Sequence, residues 1–125
     1  MAEEWRIDNG CQIIESWRRL KEKYGDIPTF ITGDFNSNES SSSYAEYIKA
    51  GLLNSKYAAT KHSSRNIATF HKVGVMPPQG NDKSPIDHIF VSPNNIQVLV
   101  HSIETRKEVL EASDHCILYV DALVI

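Results

Sequence analysis

Cysteine is scarce: two in 125 residues, too few for a disulfide framework. No apolar run approaches the roughly 20 residues that a bilayer-crossing helix needs, so a membrane span is not expected. The first residues, Met1-Ala2-Glu3-Glu4-Trp5, are acidic and lack the apolar segment of a secretory leader. Together these absences set the expectation of an intracellular, cytoplasmic protein. A basic excess is missing too: 13 Lys and Arg stand against 16 Asp and Glu, for a net charge of -3. Surfaces that wrap nucleic-acid phosphates are usually basic. Any phosphate contact here must therefore come from a few placed groups or a metal. There is no internal repeat and no interdomain linker, and the length suits one hydrophobic core.

What is present is ordinary globular usage, 41% hydrophobic and 23% charged. Ile7, Cys11, Ile14, Trp17, Leu20 and Tyr24 recur at helical spacing, with charged residues between them, and predict a helix over about 4–24. Gly25 would close it and Pro28 follows. Residues 29–32 are β-branched and aromatic and read as a buried strand. The polar stretch 37–43 leads into a helix over about 44–50, closed by Gly51. Residues 54–66 give no clear pattern. Residues 68–73 alternate as a strand, and 76–85, with three of the five prolines, is a loop. Strands follow over 86–92, 96–103 and 116–120, with a helical turn between 104 and 112. The alternation of helix and strand is α/β in class, with an α+β-like mixed sheet.

Three polar clusters sit at the ends of these strands: Gly33-Asp34-Phe35-Asn36, Ile86-Asp87-His88-Ile89 and Ser113-Asp114-His115. A scaffold presents side chains to ligands at such ends. Each cluster has a plainer reading alone. An Asp-x-Asn after a strand is often an Asx-turn, and an Asp beside a His is often a surface pair or cap. His62, His71, His88 and His101 are read as structural. Cys11 and Cys116 are read as core residues, and Trp5 and Trp17 as packing groups. Lys56, Lys61 and Arg65 form a modest basic stretch, either a solvated loop or a phosphate-facing one.

In this order the three clusters resemble the later motifs of the endonuclease/exonuclease/phosphatase superfamily of DNase I-like, metal-dependent phosphoesterases. Those motifs are a Gly-Asp-x-Asn after a buried strand, an Ile-Asp-(Tyr/His) opening a strand, and a closing Ser-Asp-His. Thr69-Phe70 also sits where many members carry a Thr-Phe pair. The resemblance covers nearly the whole chain but only the later half of the family domain. It implies the C-terminal half of a four-layer α/β/β/α sandwich, with residues 1–125 a single partial domain supplying one sheet and its helices. The earlier motifs, including a metal-binding Glu and a His-bearing strand, have no counterpart. Glu3 and Glu4 fall on the wrong side of the first helix to replace that Glu.

The resemblance also implies roles. Asp34 would position or deprotonate the attacking water and share in metal binding, and Asn36 would donate to a phosphoryl oxygen. Asp114 would be a metal-side carboxylate. His115 would touch the phosphate, and Asp87 would orient it. The cofactor implied is Mg²⁺ or Mn²⁺, hard ions suited to carboxylate oxygens. The partner implied is a phosphoester, whether nucleic acid, inositol phosphate or lipid head group. The expected function is metal-dependent phosphoester hydrolysis in a full-length protein, of nuclease or phosphatase type. The alternative is a non-catalytic truncated remnant that acts as a folding or binding module. Alone, the chain is expected to be inactive and to self-associate through an uncovered sheet face.

Overall fold

The structure is a computed structural model, and it describes residues 2–63, 67–79, 81 and 83–125. Helix α1 spans Glu3–Tyr24, strand β1 Phe30–Asp34, helix α2 Ser42–Lys49 and strand β2 Leu53–Asn54. Helix α3 (Ser55–Ala58) and strand β3 (Lys61–Ser63) follow, within the stretch that has no clear sequence pattern. Strands β4 (Asp87–Val91) and β5 (Ile96–Glu104), helix α4 (Lys107–Ala112) and strand β6 (Ile117–Val124) complete the chain.

The strands form two three-stranded sheets, ordered β1-β4-β2 and β3-β5-β6. The expectation of a single sheet is corrected by this division. Pairing is antiparallel except between β3 and β5. Strand β4 is central and buried on both faces. Its Phe90 packs with Ile14 and Trp17 of α1 and Tyr44 and Tyr47 of α2. Its alternate residues Ile89 and Val91 pack with Ile96 and Val98 of β5 and with Leu118 and Val120 of β6. Period-two alternation thus places helices on one face of the first sheet and the second sheet on the other. The expected uncovered sheet face is therefore not found at residues 89–91, which these two layers cover on both sides.

The buried face of α1 is Gly10, Ile14 and Trp17. The expected apolar stripe is rotated about the helix axis. Cys11 is exposed rather than core, Trp5 is 69% exposed rather than packed, and Leu20 and Tyr24 also face outward. Gly10 belongs on the buried face because α2 crosses there: a Cβ would meet the Tyr47 ring and hydroxyl at 3.3 Å. Ser41 caps α2 by accepting from the Tyr44 N–H, and the Glu3 carboxylate accepts from the Ser43 N–H at 2.8 Å. That second contact ties the start of α1 to the positive end of α2.

Residues 68–73 do not form the expected strand. Phe70 makes an isolated bridge to His115, and Ile67, just before the segment, makes one to Gln79. Lys56, read as part of a surface basic stretch, is instead buried and ion-paired to Glu39, which also accepts from the Tyr57 hydroxyl. Lys61 is exposed, and Arg65 lies outside the described residues. Cys116 is buried.

Strands β1 and β6 are both sheet edges. Phe30 of β1 shares a face with Val91, its ladder partner, yet is 44% exposed, because the second sheet covers β4 and not β1. On β6, Ile117, Tyr119 and Leu123 alternate along an exposed outer face. No helix of the described chain is long and apolar enough to cross a membrane.

Candidate active site

Register places the first two carboxylates. The β1–β4 ladder ends with Asp34 opposite Asp87, and cross-strand partners put their side chains on one face of the sheet. The third group comes from the segment just before β6. His115 pairs with Phe70 through an isolated bridge, which carries its ring to the same end of the molecule. The His115 Nδ1 lies 2.9 Å from Asp87 Oδ2, and its Nε2 lies 3.6 Å from Asp34 Oδ2. One ligand atom from each of Asp34, Asp87 and His115 falls within 4.8 Å of the others.

These distances fix how the imidazole is used. Nδ1–H donates to Asp87, leaving Nε2 turned toward Asp34. Burial lowers the His115 pKa, but the Asp87 hydrogen bond and charge, with the charges of Asp34 and Asp114, more than reverse this, so it is raised. The imidazolium is favoured by the arrangement. Phe70 meets the ring edge-on, with centroids 5.3 Å apart.

Asn36 arrives by a turn. Its backbone is left-handed, φ 50°, a conformation asparagine tolerates better than most residues. The Asn36 N–H donates to Asp34 Oδ1 at 2.8 Å. The Asx-turn and the site are therefore the same object. Strand β1 ends at Asp34, and beyond the turn Asn36 lines a cavity of about 470 Å³ with Asp34, Arg6, Asn9 and Gln12.

Asp114 stands apart from the three-residue group. It is exposed, its carbonyl accepts from the His71 N–H at 2.8 Å, and its charge still acts on His115. On the other side of the turn the Lys83 carbonyl accepts from the Glu39 N–H at 3.3 Å.

Two supports are not evident from the motifs. His88 is 3% exposed, points to the helix face and donates from Nε2 to the Ser37 carbonyl at 2.6 Å. It holds the chain just after Asn36. Burial lowers its pKa, so the neutral ring is the stable form. Its ring stands among Phe35, Tyr44 and Phe90. The only sequence hint was the alternation that sends residue 88 to the face opposite residue 87. The second support is Ile86, whose carbonyl accepts from the Phe35 N–H at 3.0 Å.

The sequence model of the Endonuclease/Exonuclease/phosphatase family matches residues 10–115, most of the chain. The chain belongs to the endonuclease/exonuclease/phosphatase family. The fold agrees with solved members. An endonuclease/exonuclease/phosphatase from Bacteroides vulgatus superposes with a TM-score of 0.80 at 29% identity, over 100% of this chain and 46% of its own. A family protein from Bacteroides thetaiotaomicron gives 0.77 at 25% identity, over 98% and 44%. The mannosyl-6-phosphatase Bt3783 of the same species gives 0.77 at 26% identity, over 98% and 47%. The chain thus spans less than half the length of these structures. No curated protein matches it.

Within the family, the residues suit the divalent ion that its members generally use. Asp34 offers hard carboxylate oxygens at the cluster, the donor type that Mg²⁺ and Mn²⁺ prefer, and the exposed Asp114 is a second acid near enough for its charge to act on His115.

Proposed function

We propose that the chain carries the C-terminal catalytic groups of a metal-dependent phosphoester hydrolase of nuclease or phosphatase type. The observation that supports this most is the hydrogen-bonded Asp87–His115 pair beside Asp34. Phosphoesters resist attack because their anionic oxygens repel a nucleophile, so catalysis needs positive charge at the oxygens and a directed water.

Asp34 accepts a proton from, or aims, the water, its Oδ1 held by the Asn36 N–H. His115, whose protonation its acidic neighbours favour, presents Nε2–H to a phosphoryl oxygen. Asp87 fixes the ring through Nδ1. The Asn36 side chain donates a second hydrogen bond to the phosphate. Asp34 and Asp114 are the residues that would hold Mg²⁺ or Mn²⁺. Bound there, the ion supplies charge neutralisation at the phosphate. Because Asp87 is engaged by His115, it is left out of the ligand set. The mannosyl-6-phosphatase among the similar structures makes phosphomonoesters the first substrates to try.

Alone, residues 1–125 do not turn over substrate, and they self-associate through the β1 and β6 edges with exposed Phe30, Ile117, Tyr119 and Leu123. The test joins this chain to the first half of the Bacteroides vulgatus relative. It assays p-nitrophenyl phosphate and bis(p-nitrophenyl) phosphate with Mg²⁺ or Mn²⁺. Hydrolysis that falls about 10²-fold or more in Asp34→Asn supports the reading. Turnover that Asp34→Asn leaves unchanged ends it. Size-exclusion chromatography of the chain alone checks association, and a clean monomer would refute that part.

A further inference from the structure

Thr69 is completely buried, though it is polar and lies in a segment without regular structure. Its hydroxyl oxygen accepts from the Ile86 N–H at 3.0 Å and from the Asp87 N–H at 3.3 Å. Its carbonyl accepts from the Cys116 N–H at 2.7 Å. One residue therefore grips both segments that supply the Asp87–His115 pair. The neighbouring contacts extend the grip: Phe70 bridges His115, and the His71 N–H donates to the Asp114 carbonyl at 2.8 Å.

A side chain is needed at this place because the sheet is incomplete there. Strand β2 reaches only Phe90 and Val91 of β4. Among the described residues, the first residues of β4 have no strand beside them on that side, and buried N–H groups must find acceptors. The Thr69 hydroxyl takes that part. From Ile86 the connection runs on to the third cluster, since the Ile86 carbonyl accepts from the Phe35 N–H.

We infer that Thr69 is a positioning residue for the candidate active site, its buried hydroxyl holding the start of β4 so that the Asp87 carboxylate stays in hydrogen-bonding register with His115 Nδ1. The catalytic meaning of this rests on the phosphoesterase reading. The mechanical claim does not, and it is tested on the chain itself without an activity assay.

The probe is the His115 Nδ1–H proton, which a held contact to a carboxylate shifts downfield of the backbone amide envelope in proton NMR. Asp87→Asn identifies the signal by removing it. Thr69→Val keeps size and shape but deletes the acceptor, and should lose the signal or broaden it into exchange. Thr69→Ser restores the acceptor and should keep it sharp. Circular dichroism checks that each variant is folded. If Thr69→Val is not, Thr69→Cys, nearly isosteric with a weak acceptor, is read by the same criteria. A sharp, unshifted signal in Thr69→Val would overturn the inference. So would loss in Thr69→Ser, which would show that packing and not the hydroxyl matters, or a wild-type chain with no such signal. Unchanged activity in Asp34→Asn would end the phosphoesterase reading while leaving this result intact.

Discussion

Protonating His88 should loosen the turn that carries Asn36, and the effect can be read as stability. Its ring is buried at 3% exposure, is packed among three aromatic rings and donates to the Ser37 carbonyl. Burial sets its pKa below the usual 6.5. In the unfolded chain the ring takes up a proton near pH 6.5, whereas in the folded chain it does so only at lower pH. The unfolded state therefore binds more protons as pH falls below 6.5, so this stabilisation is complete above that value and is lost on acidification. Full neutrality of folded His88 sets the ceiling. Between pH 7 and 5.5 the loss is then about 1.3 kcal/mol, from a unit of pKa being worth about 1.4 kcal/mol. His115 works in the opposite sense. Its raised pKa gives stability that is present below pH 6.5 and is lost as pH rises through the folded value. Comparing wild type with His88→Gln cancels His115 and every carboxylate. Urea denaturation at pH 5.5 and 7 should show a wild-type decrease larger than that of His88→Gln, by up to that ceiling. Equal pH dependence in the two proteins would refute the claim that His88 is held neutral.

Other substitutions test separate parts of the structure. Gly10→Ala would gain up to about 1 kcal/mol of helix propensity. Its Cβ would press on Tyr47, itself stacked on Phe90, and overpacking of that kind costs about 1–3 kcal/mol. A net loss of stability is expected in urea, and a more stable variant would contradict the α1–α2 contact. Lys56→Met should cost about 3–5 kcal/mol by leaving the Glu39 charge buried and short of a partner. Pairing it with Glu39→Gln should recover part of that loss, and a single variant as stable as wild type would show that Lys56 is not buried. In the joined, active protein, His115→Ala should lose about as much rate as Asp34→Asn, on the order of 10²-fold. His62→Ala should change little, and a comparable loss there would count against the roles assigned.

The parts of the molecule that read well from sequence are those where one local pattern suffices. Gly25 ends α1, a serine of the polar stretch caps α2, and β4 forms within the strand expected over 86–92. The errors arise where a second element decides. Nothing inside α1 says that α2 will cross at Gly10, so the apolar pattern through Cys11, Leu20 and Tyr24 names the wrong stripe. Lys56 looks like a surface lysine because its partner, Glu39, is distant in sequence and the pair forms only when α3 folds under the turn. Residues 68–73 alternate like a strand, but among the described residues they meet their neighbours through one bridge and scattered hydrogen bonds rather than a ladder. Short strands such as β2 and β3 carry too few residues for a pattern to show.

The candidate site shows the same division. The polar clusters are legible because they are contiguous, but what joins them is backbone. Asp34 meets Asp87 through the β1–β4 register, and a slip of one residue would send the Asp87 carboxylate to the helix face where His88 now sits. His115 is brought in by the Phe70 bridge, and Asn36 by a left-handed turn that Asp34 itself caps. Each of these supports lies at the end of a strand, where the ladders stop and side chains must replace absent neighbours. The Thr69 hydroxyl takes on that work at the open edge of β4, and the His88 ring does so from its helix face. Hydrogen bonds to backbone at such ends leave no spacing signature in the residues that make them. That is why the side chains of the motif can be recognised in sequence while the groups that aim them have to be found in the fold.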